Sequence, residues 1–106
     1  MGFEQYHEPA GELSAEARTF ARMITSMTEE AEAIGWYQQR ISVEPNEDAR
    51  AIMENAQLEE FKHFAMDLEF LLRGKQKWRV ACEGVLFHDG DIVKLGEQAE
   101  KAEDRA

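Results

Sequence analysis

Ser42-Val43-Glu44-Pro45-Asn46 separates two long helical patterns and decides how the chain folds. Pro45 drives the preceding residue, Glu44, out of the helical region. Asn46 has the side chain to cap a helix beginning at Glu47. A break this short leaves the second helix only one place to go, back along the first, so the pattern predicts an antiparallel hairpin.

Upstream of the break, Leu13, Ala17, Phe20, Ile24, Met27, Ala31 and Ile34 recur at alternating steps of four and three. That is a heptad-like stripe. Ser14 serves as N-cap with Glu16 in the first turn, and the first helix is predicted over residues 14–41. Downstream, Ala49, Ile52, Met53, Ala56, Phe61, Phe64, Ala65, Leu68, Leu71 and Leu72 predict a second helix over residues 47–73. Arg73 stands in its last turn, with Gly74 as the residue after it.

A shorter third helix is predicted over residues 75–87, with Trp78, Ala81, Cys82, Val85 and Leu86 on one face and Gly84 weakening it. His88-Asp89-Gly90-Asp91 reads as a turn and Ile92-Val93 as a brief apolar contact. Residues 1–13, with Pro9 and Gly11 as breakers, form an irregular lead. Residues 96–106 form a charged tail with the composition of a disordered segment. The expected organisation is thus one helical domain over residues 14–95 between these two ends.

Composition agrees with an all-α fold. The 106 residues include only two prolines, and Ala, Glu, Leu, Met, Gln, Lys and Arg dominate. A net charge of −10 argues against nucleic acid, whose phosphates need Lys and Arg, and against an anionic membrane. No stretch approaches the roughly 20 apolar residues of a membrane span. Cys82 is alone, which excludes an internal disulfide and fits a reducing compartment. Met1-Gly2-Phe3-Glu4-Gln5 lacks a basic and apolar leader, so a cytoplasmic location is expected.

Two helices cannot enclose a core. The missing half of a four-helix bundle is expected from a second copy of the chain, in a symmetric dimer of hairpins.

Three residues carry chemistry. Around Glu60, the residues Ala49, Met53, Ala56, Phe64 and Leu71 fall within about 40° on a helical projection. Glu60 and His63 therefore point into an apolar face, one turn apart, able to share an ion. An unpartnered carboxylate there is costly. Glu30 sits at the edge of the first helix's stripe, beside Met23, Met27, Ile34 and Tyr37. It lies 14 residues before Glu44, and Glu60 lies 16 after it, so the hairpin sets both at nearly one height. Oxygen and imidazole donors together suit iron, manganese or zinc. Di-metal carboxylate bundles use one Glu from each of two helices and Glu-x-x-His from each of the other two. One chain offers half of that set, and a dimer completes it.

At these residues the sequence resembles the encapsulated ferritins, small ferritin-like proteins packaged inside encapsulin shells. The likeness is carried by Glu29-Glu30-Ala31-Glu32-Ala33-Ile34-Gly35-Trp36-Tyr37-Gln38-Gln39-Arg40 and by Glu59-Glu60-Phe61-Lys62-His63-Phe64-Ala65-Met66. His7-Glu8-Pro9, Leu86-Phe87 and Gly90 add to it, and it spans roughly residues 7–93. The resemblance implies a two-helix subunit with a short third helix, dimers with a ferroxidase centre at their interface, and a ring of five dimers. It implies iron as the metal, with Zn, Mn or Ca able to stand in for it in a crystal, and an encapsulin shell as partner and compartment. Carried over by position, Glu30, Glu60 and His63 would ligate iron, Tyr37 would stand beside Glu30, and Glu29, Glu32 and Trp36 would form an outer uptake site. Two departures stand out. No apolar and basic targeting peptide is recognisable in residues 96–106, and Gly35 stands where the family has a polar or acidic residue.

The blander readings are specific too. Glu29 and Glu32 fall off the apolar stripe and, apart from the resemblance, read as a solvated acidic face. Trp36 reads as an interface anchor, Tyr37 as core filler, and Met23, Met27, Met53 and Met66 as packing. His7 and His88 are expected at the surface, and Cys82 has no basic partner to activate it. The rival functions are a rubrerythrin-like di-metal oxidoreductase, against which the absence of a Cys-x-x-Cys pair weighs, and a non-enzymatic acidic helical module.

Overall fold

A computed structural model describes residues 4–106. Among them the regular elements are a 3-10 turn at Ala10–Glu12 and four α-helices: α1 (Ala15–Val43), α2 (Glu47–Arg73), α3 (Gln76–Val85) and α4 (Ile92–Asp104). No described residue is in a strand, and no helix is long and apolar enough to cross a membrane. The chain divides into two compact units, one ending at Glu69 and one running from Phe70 to Ala106.

The first unit is the hairpin. Ser14 caps α1, its hydroxyl accepting from the Ala17 N–H at 3.0 Å. The lead into it is not wholly irregular. Arg18 Nη1 donates to the carbonyls of Ala10 at 2.9 Å and Leu13 at 2.7 Å, tying the 3-10 turn to the first turn of α1. At the other end α1 runs two residues past the predicted Ile41. Pro45 restricts only the residue before it; Glu44 is extended at ψ 116°, while Ser42 and Val43 stay helical. Asn46 caps α2 as expected, accepting from the Ala49 N–H at 2.9 Å, and its own N–H donates to Glu44 Oε2 at 3.0 Å.

The two helices are cross-linked by a buried amide. Gln57 Nε2 donates to the Ile34 carbonyl and to Gln38 Oε1, each at 3.1 Å. Ile34 and Gln38 meet Gln57, whereas the earlier Glu30 meets the later Glu60 and His63, so the pair is antiparallel. On α2 the less exposed positions include Met53, Ala56, Gln57, Glu60, Phe64, Asp67 and Leu68. On α1 they include Phe20, Met23, Ile24, Met27, Glu30, Ile34, Tyr37 and Ile41. The α1 stripe is thus displaced from the predicted one: Ala17 and Ala31 are exposed. Glu30 lies within the stripe rather than at its edge.

The second unit contains the end of α2 with α3 and α4. Leu71, Leu72 and Ala99 are its buried apolar residues. α3 and α4 pack on each other, and they do so closely: a Cβ on Gly84 would stand 2.6 Å from Ala99 Cβ. The turn between them uses Phe87 at φ 63° and Gly90 at φ 115°, and Asp91 caps α4 by accepting from the Lys94 N–H at 3.0 Å. Helix α4 replaces the expected charged tail. Its less exposed positions include Leu95 and Ala99, and Ala99 packs closely because Gly84 opposite it has no side chain. Ile92 and Val93, expected to make an apolar contact, are exposed instead. Likewise α3 covers Gln76–Val85 rather than residues 75–87.

Candidate metal site

The hairpin brings Glu30 of α1 to Glu60 and His63 of α2. One potential ligand atom from each lies within 4.8 Å of the other two. The spacing is that of side chains able to hold one cation, and the three are those expected from the sequence. His63 Nδ1 faces Glu60 Oε1 at 3.4 Å, with the imidazole 47% exposed and the Glu60 side chain 26%. Open on that side, the cluster can still accept donors from elsewhere.

The electrostatics are those of a site short of positive charge. The Glu30 carboxyl is pushed up from 4.5 to about 7, chiefly by burial. A hydrogen bond with the Asp67 side chain and the negative charges of Asp67, Glu60 and Glu29 add to it. With both groups ionised, Glu30 Oε1 and Asp67 Oδ2 are buried acceptors with no donor. Two touching acids can share a proton, and a cation can satisfy the same oxygens. The donor set therefore fits a metal of the iron, manganese or zinc type.

Asp67 was missed in the sequence. The signal was present: positions 60, 63 and 67 share one face of a helix. An acid among Ala65, Met66 and Leu68, however, adds nothing to an apolar pattern that would mark it. Gln57, buried one turn before Glu60, is likewise a polar residue that apolar periodicity does not mark.

The outer residues lie elsewhere. Glu29, Glu32 and Trp36 are exposed, as expected. Of these only Glu29 reaches the cluster, through its charge on Glu30. Trp36 lines an open groove of about 260 Å³ with Gln39 and Arg40. Tyr37 is half-buried on the Glu30 stripe. Its ring packs under the Arg40 guanidinium, 5.4 Å from centroid to cation, and it makes no hydrogen bond to Glu30 Oε1. His7 is exposed, as is His88, whose Nε2 donates to the Glu83 carbonyl at 2.8 Å. Cys82 is half-buried and unpaired with any other cysteine.

The chain is 41% identical over 95 residues to a "Ferritin-like protein" of Thermotoga maritima, covering 90% of this chain and 83% of that one. It is 38% identical over 89 residues to an "Encapsulated ferritin-like protein" of Rhodospirillum rubrum, covering 84% of this chain and 64% of the relative. The crystal structure of protein ne0167 from Nitrosomonas europaea superposes with a TM-score of 0.81 at 35% identity, over 84% of this chain and 98% of that one. The family model described as EncFtn-like matches residues 5–89. The hairpin, its acid and imidazole cluster and these matches agree, and the chain belongs to the EncFtn-like family of encapsulated ferritin-like proteins.

Proposed function

We propose that this protein is a ferroxidase that takes up ferrous iron at Glu30, Glu60 and His63 and oxidises it to ferric iron. The observation that carries the reading is the convergence of these three donors within 4.8 Å, around a buried carboxyl with an unpartnered oxygen. Iron is the substrate. Each ferrous ion loses one electron, and dioxygen takes up four electrons and four protons to give two waters.

The protein's part is to collect, hold and orient. Glu29 and Glu32, exposed on α1, draw ferrous ions to the surface, with Trp36 beside them as an outer uptake site. Glu30, Glu60 and His63 replace the ion's water with two carboxylates and an imidazole. Tyr37, on the same stripe as Glu30, is assigned a supporting place near the site.

One chain supplies half of a two-ion centre, and the open side of the cluster is where a second copy would stand. Exposed apolar side chains on the same hairpin, among them Trp36, Ile52, Leu58, Phe61 and Met66, support such an association. A pair of hairpins gives the four-helix bundle, and a ring of five such dimers is the larger assembly in this reading. The "Encapsulated ferritin-like protein" relative supports an encapsulin shell as the partner, and in this reading the shell receives the oxidised iron.

The test is an Fe²⁺ titration followed by absorbance, with and without oxygen, on the wild type and on Glu60→Ala and His63→Ala. Oxygen-dependent ferric absorbance is expected from the wild type and most of it is expected to be lost in both variants. Full activity in the two variants would contradict the assignment. Size-exclusion chromatography with and without Fe²⁺ tests whether metal and assembly are linked.

A further inference from the structure

We propose that Asp67 is a further oxygen donor at this metal site, brought to it through its contact with Glu30. The inference rests on the reading of the Glu30 cluster as a metal site and names a residue that the cluster of three does not include.

The placement comes from the helix. Residues 60, 63 and 67 succeed one another at three and four positions, so Asp67 stands one turn beyond His63 on the face that meets α1. Glu60 faces Glu30 from the same side, so Glu30 lies between two α2 acids. Its carboxyl interacts with both, with a hydrogen bond to Asp67.

The oxygens then need a partner. With both groups ionised, Glu30 Oε1 and Asp67 Oδ2 are both buried without a donor. Buried acceptors are nearly always satisfied in folded proteins. An Arg or Lys beside Asp67 would have answered this structurally, but the ion pairs of this stretch of α2 go elsewhere, Lys62 to Glu59 at 2.8 Å and His63 to Glu60. A packing role is also poorly served by an acid, because Asn or Leu would fill the same space without the desolvation of a carboxylate. A divalent cation beside Glu30 meets both oxygens at once. Glu30, Glu60 and His63 offer atoms within 4.8 Å of one another and Asp67 lies outside that group, so Asp67 would reach the ion through its place beside Glu30, and its oxygen would make the set harder and favour oxygen-seeking ions.

The experiment uses the full chain and Co²⁺, a divalent probe that does not turn over under the assay, in calorimetric titration with a visible spectrum of the bound ion. Wild type, Asp67→Asn, Asp67→Glu and Glu60→Ala are compared, and each metal-free protein is melted. Asp67→Asn is expected to weaken Co²⁺ binding by about tenfold or more and to change the spectrum, with Asp67→Glu recovering part of both. Metal-free Asp67→Asn is expected to melt no lower than wild type, because the amide can donate to Glu30 and one negative charge is gone. Wild-type binding in Asp67→Asn, with binding lost in Glu60→Ala, overturns the proposal and leaves the site reading standing. A metal-free Asp67→Asn that melts well below wild type assigns Asp67 a structural role and also overturns it. Equal binding by wild type and Glu60→Ala overturns the site reading, and this inference with it.

Discussion

The Gln57 side-chain amide reaches across the hairpin to the Ile34 carbonyl at 3.1 Å. Ile34 lies one turn after Glu30, and Gln57 lies about one turn before Glu60. The bond therefore fixes the height of the two ligand helices beside the site they share. Gln57→Ala leaves the half-buried Ile34 carbonyl with one bond fewer and opens a small void. A loss of about 1–3 kcal/mol in unfolding free energy is expected, measured by denaturant titration. Metal affinity is expected to fall as well, although Gln57 touches no ligand.

The raised Glu30 carboxyl sets a pH dependence. Its pKa is about 7 in the folded chain against 4.5 ordinarily. The folded state then binds more protons than the unfolded state between those values. The stabilising contribution is full below 4.5 and is lost as pH rises through about 7. Without metal, the melting temperature is expected to decline across that window, and Glu30→Gln is expected to flatten the decline. Metal competes with the proton, so affinity for Co²⁺ is expected to rise with pH over the same range. A metal-free melting curve that does not change with pH would count against a buried, charge-crowded Glu30.

The outer acids are expected to affect uptake rather than the centre. Glu29→Ala with Glu32→Ala is predicted to slow oxidation at low Fe²⁺ and to leave the amount of metal bound at saturation unchanged, because both residues are exposed and only the charge of Glu29 reaches Glu30. Stopped-flow absorbance at several iron concentrations reads the difference. Tyr37→Phe, which leaves the packing of Arg40 over the ring intact, is predicted to change the rate less than Glu60→Ala.

Two glycines are predicted to behave oppositely. Gly84→Ala places a methyl 2.6 Å from Ala99 Cβ and 3.2 Å from its Cα. Helix α4 must shift, at a cost of about 1–3 kcal/mol, and hydrogen exchange in Ile92–Asp104 is expected to quicken. Gly35 has nothing within 4 Å of an added Cβ and lies inside α1. Gly35→Ala is expected to stabilise the hairpin by about 1 kcal/mol, read as a rise in melting temperature.

The sequence by itself determined the two long helices, the break at Pro45 and the caps at Ser14 and Asn46. Each depends on backbone preferences acting over a few residues. It also determined that Glu30, Glu60 and His63 meet, since helical rise and rotation fix height and face once the break is short. Tertiary structure decided the rest. Displacement of the α1 stripe, which brings Glu30 into it, and the pairing of Glu30 with Asp67 depend on how one helix rolls against the other, which no periodicity specifies. Helix α4 depends on a close approach of Gly84 to Ala99. Small residues give no hydropathy signal, and their contribution exists only when two backbones come near enough for contact to replace solvent.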